Sequence, residues 1–117
     1  MSSYSLTDET SIDVLIFWIE SSDGSISFAE QATVKRALEN MRYDFSTFQN
    51  TLSHIAAMST QSMLELVDEA IDHVKSSFSD DGQRMVYQLL DAVASCDGKL
   101  NKTEIEKLNH VKEEFGI

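Results

Sequence analysis

The feature that most constrains this chain is a motif that stands in it twice. Ser21-Ser22-Asp23-Gly24-Ser25-Ile26-Ser27-Phe28-Ala29-Glu30 is echoed 74 positions later by Ser95-Cys96-Asp97-Gly98-Lys99-Leu100-Asn101-Lys102-Thr103-Glu104. Asp, Gly, an aliphatic residue and Glu hold the same relative places in both copies. The correspondence extends outward. Ile12, Leu15, Ile16 and Ile19 pair with Val86, Leu89, Leu90 and Val93 upstream, and Val34, Ala37 and Met41 pair with Leu108, Val111 and Phe115 downstream. Apolar residues at these intervals lie on one face of a helix. The repeated unit therefore reads as helix, Asp-Gly turn, helix, and two copies of it predict an internally duplicated all-α domain with approximate two-fold symmetry.

The rest of the chain agrees with helices. It has no proline and four glycines in 117 residues, and no stretch alternates apolar and polar as a strand would. About six helices are expected in a single domain over residues 1–117. The first starts near Thr7 and runs to about Ser21, and is apolar nearly all round, so it should be central. The second covers about Phe28 to Met41. A third begins near Asp44 and carries Phe45, Phe48, Leu52, Ile55 and Ala56. The fourth follows Thr60 and buries Met63, Val67, Ala70, Ile71 and Val74. The fifth follows Ser79-Asp80-Asp81 to about Cys96, and the sixth uses Ile105, Leu108, Val111 and Phe115.

Charge narrows the function. A net charge of −11 argues against nucleic acid, whose binding needs clustered Lys and Arg to displace phosphate counterions, and against adsorption to anionic lipid. It suits a cation or a basic protein partner. The single cysteine, Cys96, cannot form an internal disulfide, and no signal-like or membrane-spanning apolar stretch is visible, so a cytoplasmic protein is expected.

The turns share the second half of a calcium-binding EF-hand loop: Gly24 and Gly98 match its invariant glycine, and Glu30 and Glu104 its closing carboxylate. The first half fails, because Ile19 and Val93 stand where the first ligand belongs, so these are not EF-hands. Much of the motif follows from helix ends alone. Gly24 and Gly98 suit a helix terminus, Ser27-Phe28-Ala29-Glu30 is a capping box, and Asn101-Lys102-Thr103-Glu104 is a near variant of it. Asp23 and Asp97 are less easily absorbed, since a carboxylate at the end of a helix faces the negative pole of its dipole. Local turn bonds or a bound cation would offset that. The candidate metal ligands are Asp23, Glu30, Asp97 and Glu104, with Ser27 and Asn101 as further oxygen donors. Such a set favours Ca²⁺ or Mg²⁺ over zinc.

Other residues point less clearly. His54, His73 and His110 lie on three separate helices. His73, with Asp72 beside it and Glu69 one turn back, makes at most half of a transition-metal site. Cys96 has no basic neighbour in sequence to activate it. Trp18, Phe17, Phe45 and Phe48 stand at core spacing. Glu65, Asp68, Glu69 and Asp72 form an acidic ridge, which reads as a solvated face or a docking surface for a basic partner. Nothing resembles a phosphate loop, a dinucleotide fingerprint or a Ser/His/Asp arrangement, and no catalysis is expected.

The doubled pattern, an aliphatic-rich helix followed by small-small-Asp-Gly-x-aliphatic-x-x-x-Glu, resembles the TerB-like family. These are tellurite-resistance-associated helical domains, also found at the N-terminus of membrane-anchored DnaJ-type co-chaperones. The resemblance implies an all-helical duplicated fold and an acidic surface that binds divalent metal through Asp23, Glu30, Asp97 and Glu104. It also implies a role in stress responses such as tellurite resistance and phage defence, beside membrane-associated partners. Glu20 and Ser22 depart from the small apolar residues usual there. The expected function is thus a non-enzymatic stress-response module that binds a cation at its two turns and docks onto partner proteins. The alternative is a metal-free acidic protein that binds a basic partner or mimics nucleic acid.

Overall fold

Two threonines start the first helix. The Thr7 hydroxyl accepts a hydrogen bond from the Thr10 backbone N–H at 3.2 Å, and the Thr10 hydroxyl accepts one from the Thr7 N–H at 2.6 Å. This reciprocal cap satisfies donors that a helix N-terminus leaves open, and Asp8 and Glu9 follow in the first turn, where the dipole favours negative charge. The computed structural model describes residues 6–20, 32, 35, 36, 39, 45–95 and 102–117. These form helices α1 (Asp8–Glu20), α2 (Phe45–Ala56), α3 (Thr60–Ser77), α4 (Asp80–Ala94) and α5 (Lys102–Phe115), with no strand among them.

α1 is the centre of the domain. Val14, Leu15, Ile16, Phe17 and Ile19 are all buried, and the helix packs against each of the other four. An element touched on every side needs no polar face, which is why its apolar residues are consecutive rather than striped. Each such side chain contributes roughly 1.5–3 kcal/mol on burial. The other helices are striped: α3 buries Leu66, Val67, Ala70, Ile71 and Val74, and α4 buries Val86, Leu89, Leu90 and Val93.

α1 and α2 run side by side in the same direction. Thr47 donates its hydroxyl to Glu9 at 3.2 Å, and Thr51 donates to Asp13 at 3.1 Å. Each pair lies one turn beyond the last on both helices, so a two-rung ladder sets the register. α3 passes to α4 through a tight bend. Ser79 caps α4 by accepting from the Gly82 N–H at 3.1 Å, and the Gln83 amide donates back to the carbonyls of Phe78 at 3.1 Å and Lys75 at 3.4 Å. Gln83 thereby satisfies acceptors that the end of α3 would leave open.

Of the predicted second helix, Ala32, Lys35, Arg36 and Glu39 are helical and exposed, spaced as one helix face. The rest of that segment lies outside the described residues, as does most of what would test the six-helix count and the two-fold relation between the repeated units. One predicted core position is corrected. Ile105 is 43% exposed, and Glu104 takes the inward place with Leu108, Val111 and Phe115. Residues 104, 108, 111 and 115 form one continuous helical stripe, and turning that stripe inward carries Ile105 to the rim.

Candidate functional site

Five of the six predicted ligands, Asp23, Ser27, Glu30, Asp97 and Asn101, lie outside the described residues. The sixth is Glu104, in the first turn of α5 and only 7% exposed. Burying a carboxylate is costly unless positive charge or hydrogen bonds compensate. Lys107, one turn further along α5, supplies positive charge on the same helix face.

Lys107 is built into the end of α1. Its ammonium donates to the Trp18 carbonyl at 2.6 Å and sits 5.6 Å from the centre of the Trp18 ring. Trp18 belongs to the last turn of α1, where backbone carbonyls run out of intrahelical donors and the dipole favours a cation. His110, a further turn along α5, meets the Trp18 ring edge-on, with centroids 6.0 Å apart and planes at 79°. Burial pushes the Lys107 pKa below its ordinary value, while the charge of Glu104 pulls it the other way. Hence the last turn of α1, which precedes the first Asp-Gly motif in sequence, meets the start of α5, whose first turn holds the end of the second. Sequence reasoning held Trp18 as plain packing and did not single out Lys107. The two are 89 positions apart, and no local pattern links them.

Asp13 is a second carboxylate that sequence reasoning passed over. It is fully buried on α1, where Thr51 donates to it. The available signal was the spacing of Glu9 and Asp13 against that of Thr47 and Thr51, four residues in each case. Nearby in sequence, the fully buried Ser11 hydroxyl has no hydrogen-bond partner among the described residues.

His73 does not pair with Glu69 or Asp72, both exposed. Its Nε2 lies 2.8 Å from Asp8 Oδ1, tying α3 to the start of α1 beside an open cleft of about 570 Å³ lined by Thr7, Asp8, Glu9 and His73. Among the described residues no group of three His, Cys, Asp or Glu side chains is placed to hold a metal ion. The acidic ridge Glu65, Asp68, Glu69 and Asp72 is exposed along α3. No described helix is long and apolar enough to cross a membrane.

Against known proteins, the family described as "Tellurite resistance protein TerB" matches residues 10–117. The chain belongs to the TerB family. The match takes in α2 to α5 entirely and α1 from its third residue, so the TerB assignment rests on the whole helical domain and not on the Asp-Gly motifs alone. No curated protein and no solved structure shows significant similarity to this TerB chain.

Proposed function

We propose that this TerB domain is a non-enzymatic, cytoplasmic stress-response module that binds a divalent cation through its Asp-Gly turns and presents an acidic surface to partner proteins. The observation that carries the reading is the meeting of α1's last turn with the start of α5, around the buried Glu104. Those segments flank the two motifs, so the described residues are compatible with Asp23, Glu30, Asp97 and Glu104 serving one site. A buried carboxylate beside an ammonium also marks a place where positive charge is already accommodated. The donor set of carboxylates, a hydroxyl and a carboxamide suits Ca²⁺ or Mg²⁺, and when bound such an ion would neutralise the acids and link the two turns. Tellurite resistance enters through the family, as the setting in which such a module would work.

The test is calorimetric titration of the EDTA-stripped chain with Ca²⁺ and then Mg²⁺. Saturable binding near one or two equivalents, lost in Asp23→Asn with Asp97→Asn while the apo melting temperature holds, is the expected result. No binding at millimolar metal would overturn the cation reading.

A second reading is favoured by the exposed stripe Glu65, Asp68, Glu69 and Asp72 on α3 together with the net charge of −11. On it the domain binds a basic protein without metal. Binding of that kind weakens steeply with salt, whereas persistence in high salt would exclude it.

A further inference from the structure

The sequence repeat gives α1 and α4 the same plan, yet the two helices are covered differently. Met85, Gln88 and Ala92 of α4 correspond to Ser11, Val14 and Trp18 of α1. Ser11 and Val14 are fully buried and Trp18 packs against the core, because α1 touches each of the other four described helices. On α4 the same positions are exposed, and Met85, at 57%, is the most exposed large apolar side chain among the described residues. Asp81, Met85, Gln88, Ala92 and Ser95 continue this face in alternating steps of four and three, the spacing of a helix-pairing seam.

The face is electrically self-complementary. Arg84 and Asp91, both exposed, flank it on one side, two turns apart. Within the chain Arg84 reaches Asp81 at 3.8 Å, a contact between exposed groups that contributes little. Asp91 makes no ion pair among the described residues. When a second copy is turned over about Gln88, the two α4 helices run in opposite directions. Arg84 of each then comes within one residue of level with Asp91 of the other. Met85 comes equally close to level with Ala92, a long side chain against a short one, and Gln88 meets itself at the axis. One patch thus matches itself, as an isologous contact requires. The outward face of α3, with Glu65, Asp68, Glu69 and Asp72, would instead repel its own copy.

We propose that the outward face of α4 is a homodimer contact, pairing α4 antiparallel with α4 of a second copy. The contact uses none of the residues of the cation and basic-partner readings and stands whether or not either holds. α4 has 15 residues and is therefore about 22 Å long. A single helix pair of that length falls at the small end of specific interfaces, below about 1,200 Å², so the dimer is weak, with a dissociation constant on the order of 100 µM.

The experiment is sedimentation equilibrium of the full chain at concentrations from about tenfold below to tenfold above that constant. A salt concentration of about 0.15 M screens the long-range repulsion between two copies of charge −11. Wild type should pass from monomer to dimer over that range. Arg84→Asp and Asp91→Arg each turn two opposite-charge contacts into like-charge ones and should weaken the dimer about tenfold. The two changes together recreate the pairs and should return the affinity to within about threefold of wild type. In a Cys96→Ser background, Gln88→Cys should form a disulfide-linked dimer under air oxidation at least about tenfold faster than Asn109→Cys, because the disulfide needs two cysteines brought face to face. Asn109 is exposed on α5, away from the seam. The substituted α4 and α5 positions are exposed, so thermal melts of the variants should stay near wild type. A chain that stays monomeric throughout the range, a double swap that pairs no better than the single ones, or equal cross-linking at positions 88 and 109 overturns the proposal.

Discussion

Replacing Thr51 with valine tests whether the Asp13–Thr51 rung holds α2 against α1. Thr51 Oγ1 lies 3.1 Å from Asp13 Oδ2 and 3.0 Å from the Thr47 carbonyl, and has one proton to give. The Thr47 carbonyl keeps its place in the helical ladder whichever way that proton points. Asp13, fully buried on the central helix, accepts the hydroxyl proton as a charged group and loses that bond when Thr51 is replaced. A hydrogen bond to a charged group contributes about 1.5–3 kcal/mol. Valine keeps the shape and returns up to roughly 1 kcal/mol through its extra buried methyl. The net expectation for Thr51→Val is a loss of about 1–2 kcal/mol, seen as a fall of roughly 5–10 °C in melting temperature for a domain of this size. The neighbouring rung is an internal control. Thr47 and Glu9 make the same bond at 3.2 Å, but at the surface, where water replaces a lost partner, so Thr47→Val should cost less than about 0.5 kcal/mol. Urea denaturation of Thr51→Val, Asp13→Ala and the double variant should give a coupling of at least about 1 kcal/mol. Additive effects, or a Thr51→Val protein as stable as wild type, would refute the argument that a buried carboxylate depends on this hydroxyl.

Three further outcomes follow from other parts of the structure. Gln83→Leu removes the amide that serves the Phe78 and Lys75 carbonyls and should cost about 1–2 kcal/mol in urea denaturation despite the added apolar surface; an unchanged midpoint would show that water serves those carbonyls equally well. Ser11→Ala should stabilise the protein by about 0.5–1 kcal/mol, because it deletes a buried hydroxyl with no partner among the described residues and improves helix propensity; a lower melting temperature would count against this. Burial holds Lys107 below its ordinary value of 10.5, so in that alkaline window the unfolded chain carries more protons than the folded one. The contribution of Lys107 to stability therefore rises with pH from its folded value up to 10.5. Urea midpoints of wild type relative to Lys107→Met should climb over that range, and a falling difference would reverse the sign.

Helix positions and most of the core were legible in the chain because both are local properties. The helix start at Ser79-Asp80-Asp81 and the apolar stripes of α3 and α4 arise from residues within a few turns of one another. The central place of α1 was legible for the same reason: a helix apolar on all sides can be satisfied only by being surrounded. What escaped was the polar machinery that joins helices. Asp13 and Thr51 are 38 positions apart, and Trp18 and Lys107 are 89 apart. Trp18 and Lys107 leave no trace in local periodicity, and the matched spacings of Glu9/Asp13 and Thr47/Thr51 point to a pairing only once α1 and α2 are known to lie side by side. Glu104 illustrates the limit. Its place in the repeated motif made it a candidate ligand, but hydropathy put Ile105 inside and Glu104 out. The reverse holds because Glu104, Leu108, Val111 and Phe115 form the inward stripe of α5, which leaves Ile105 at the rim. His73 was read against acids on its own helix, whereas its partner Asp8 comes from α1. The motif itself, residues 21–30 and most of 95–104, lies largely outside the described residues, so its reading rests on sequence.

The central place of α1 also bears on how the chain is made. Among the described helices the most apolar comes first in chain order, and each helix that surrounds it follows, with α5 ending at Phe115. At a synthesis rate of about 5–20 residues per second, α1 waits roughly 5–20 s before its last packing partner leaves the ribosome. Until those partners arrive, part of a segment with almost no polar face stays uncovered. Its protection falls to whatever binds nascent apolar chains, and any delay in translating the second half of the domain lengthens the period in which this helix can pair with the wrong surface.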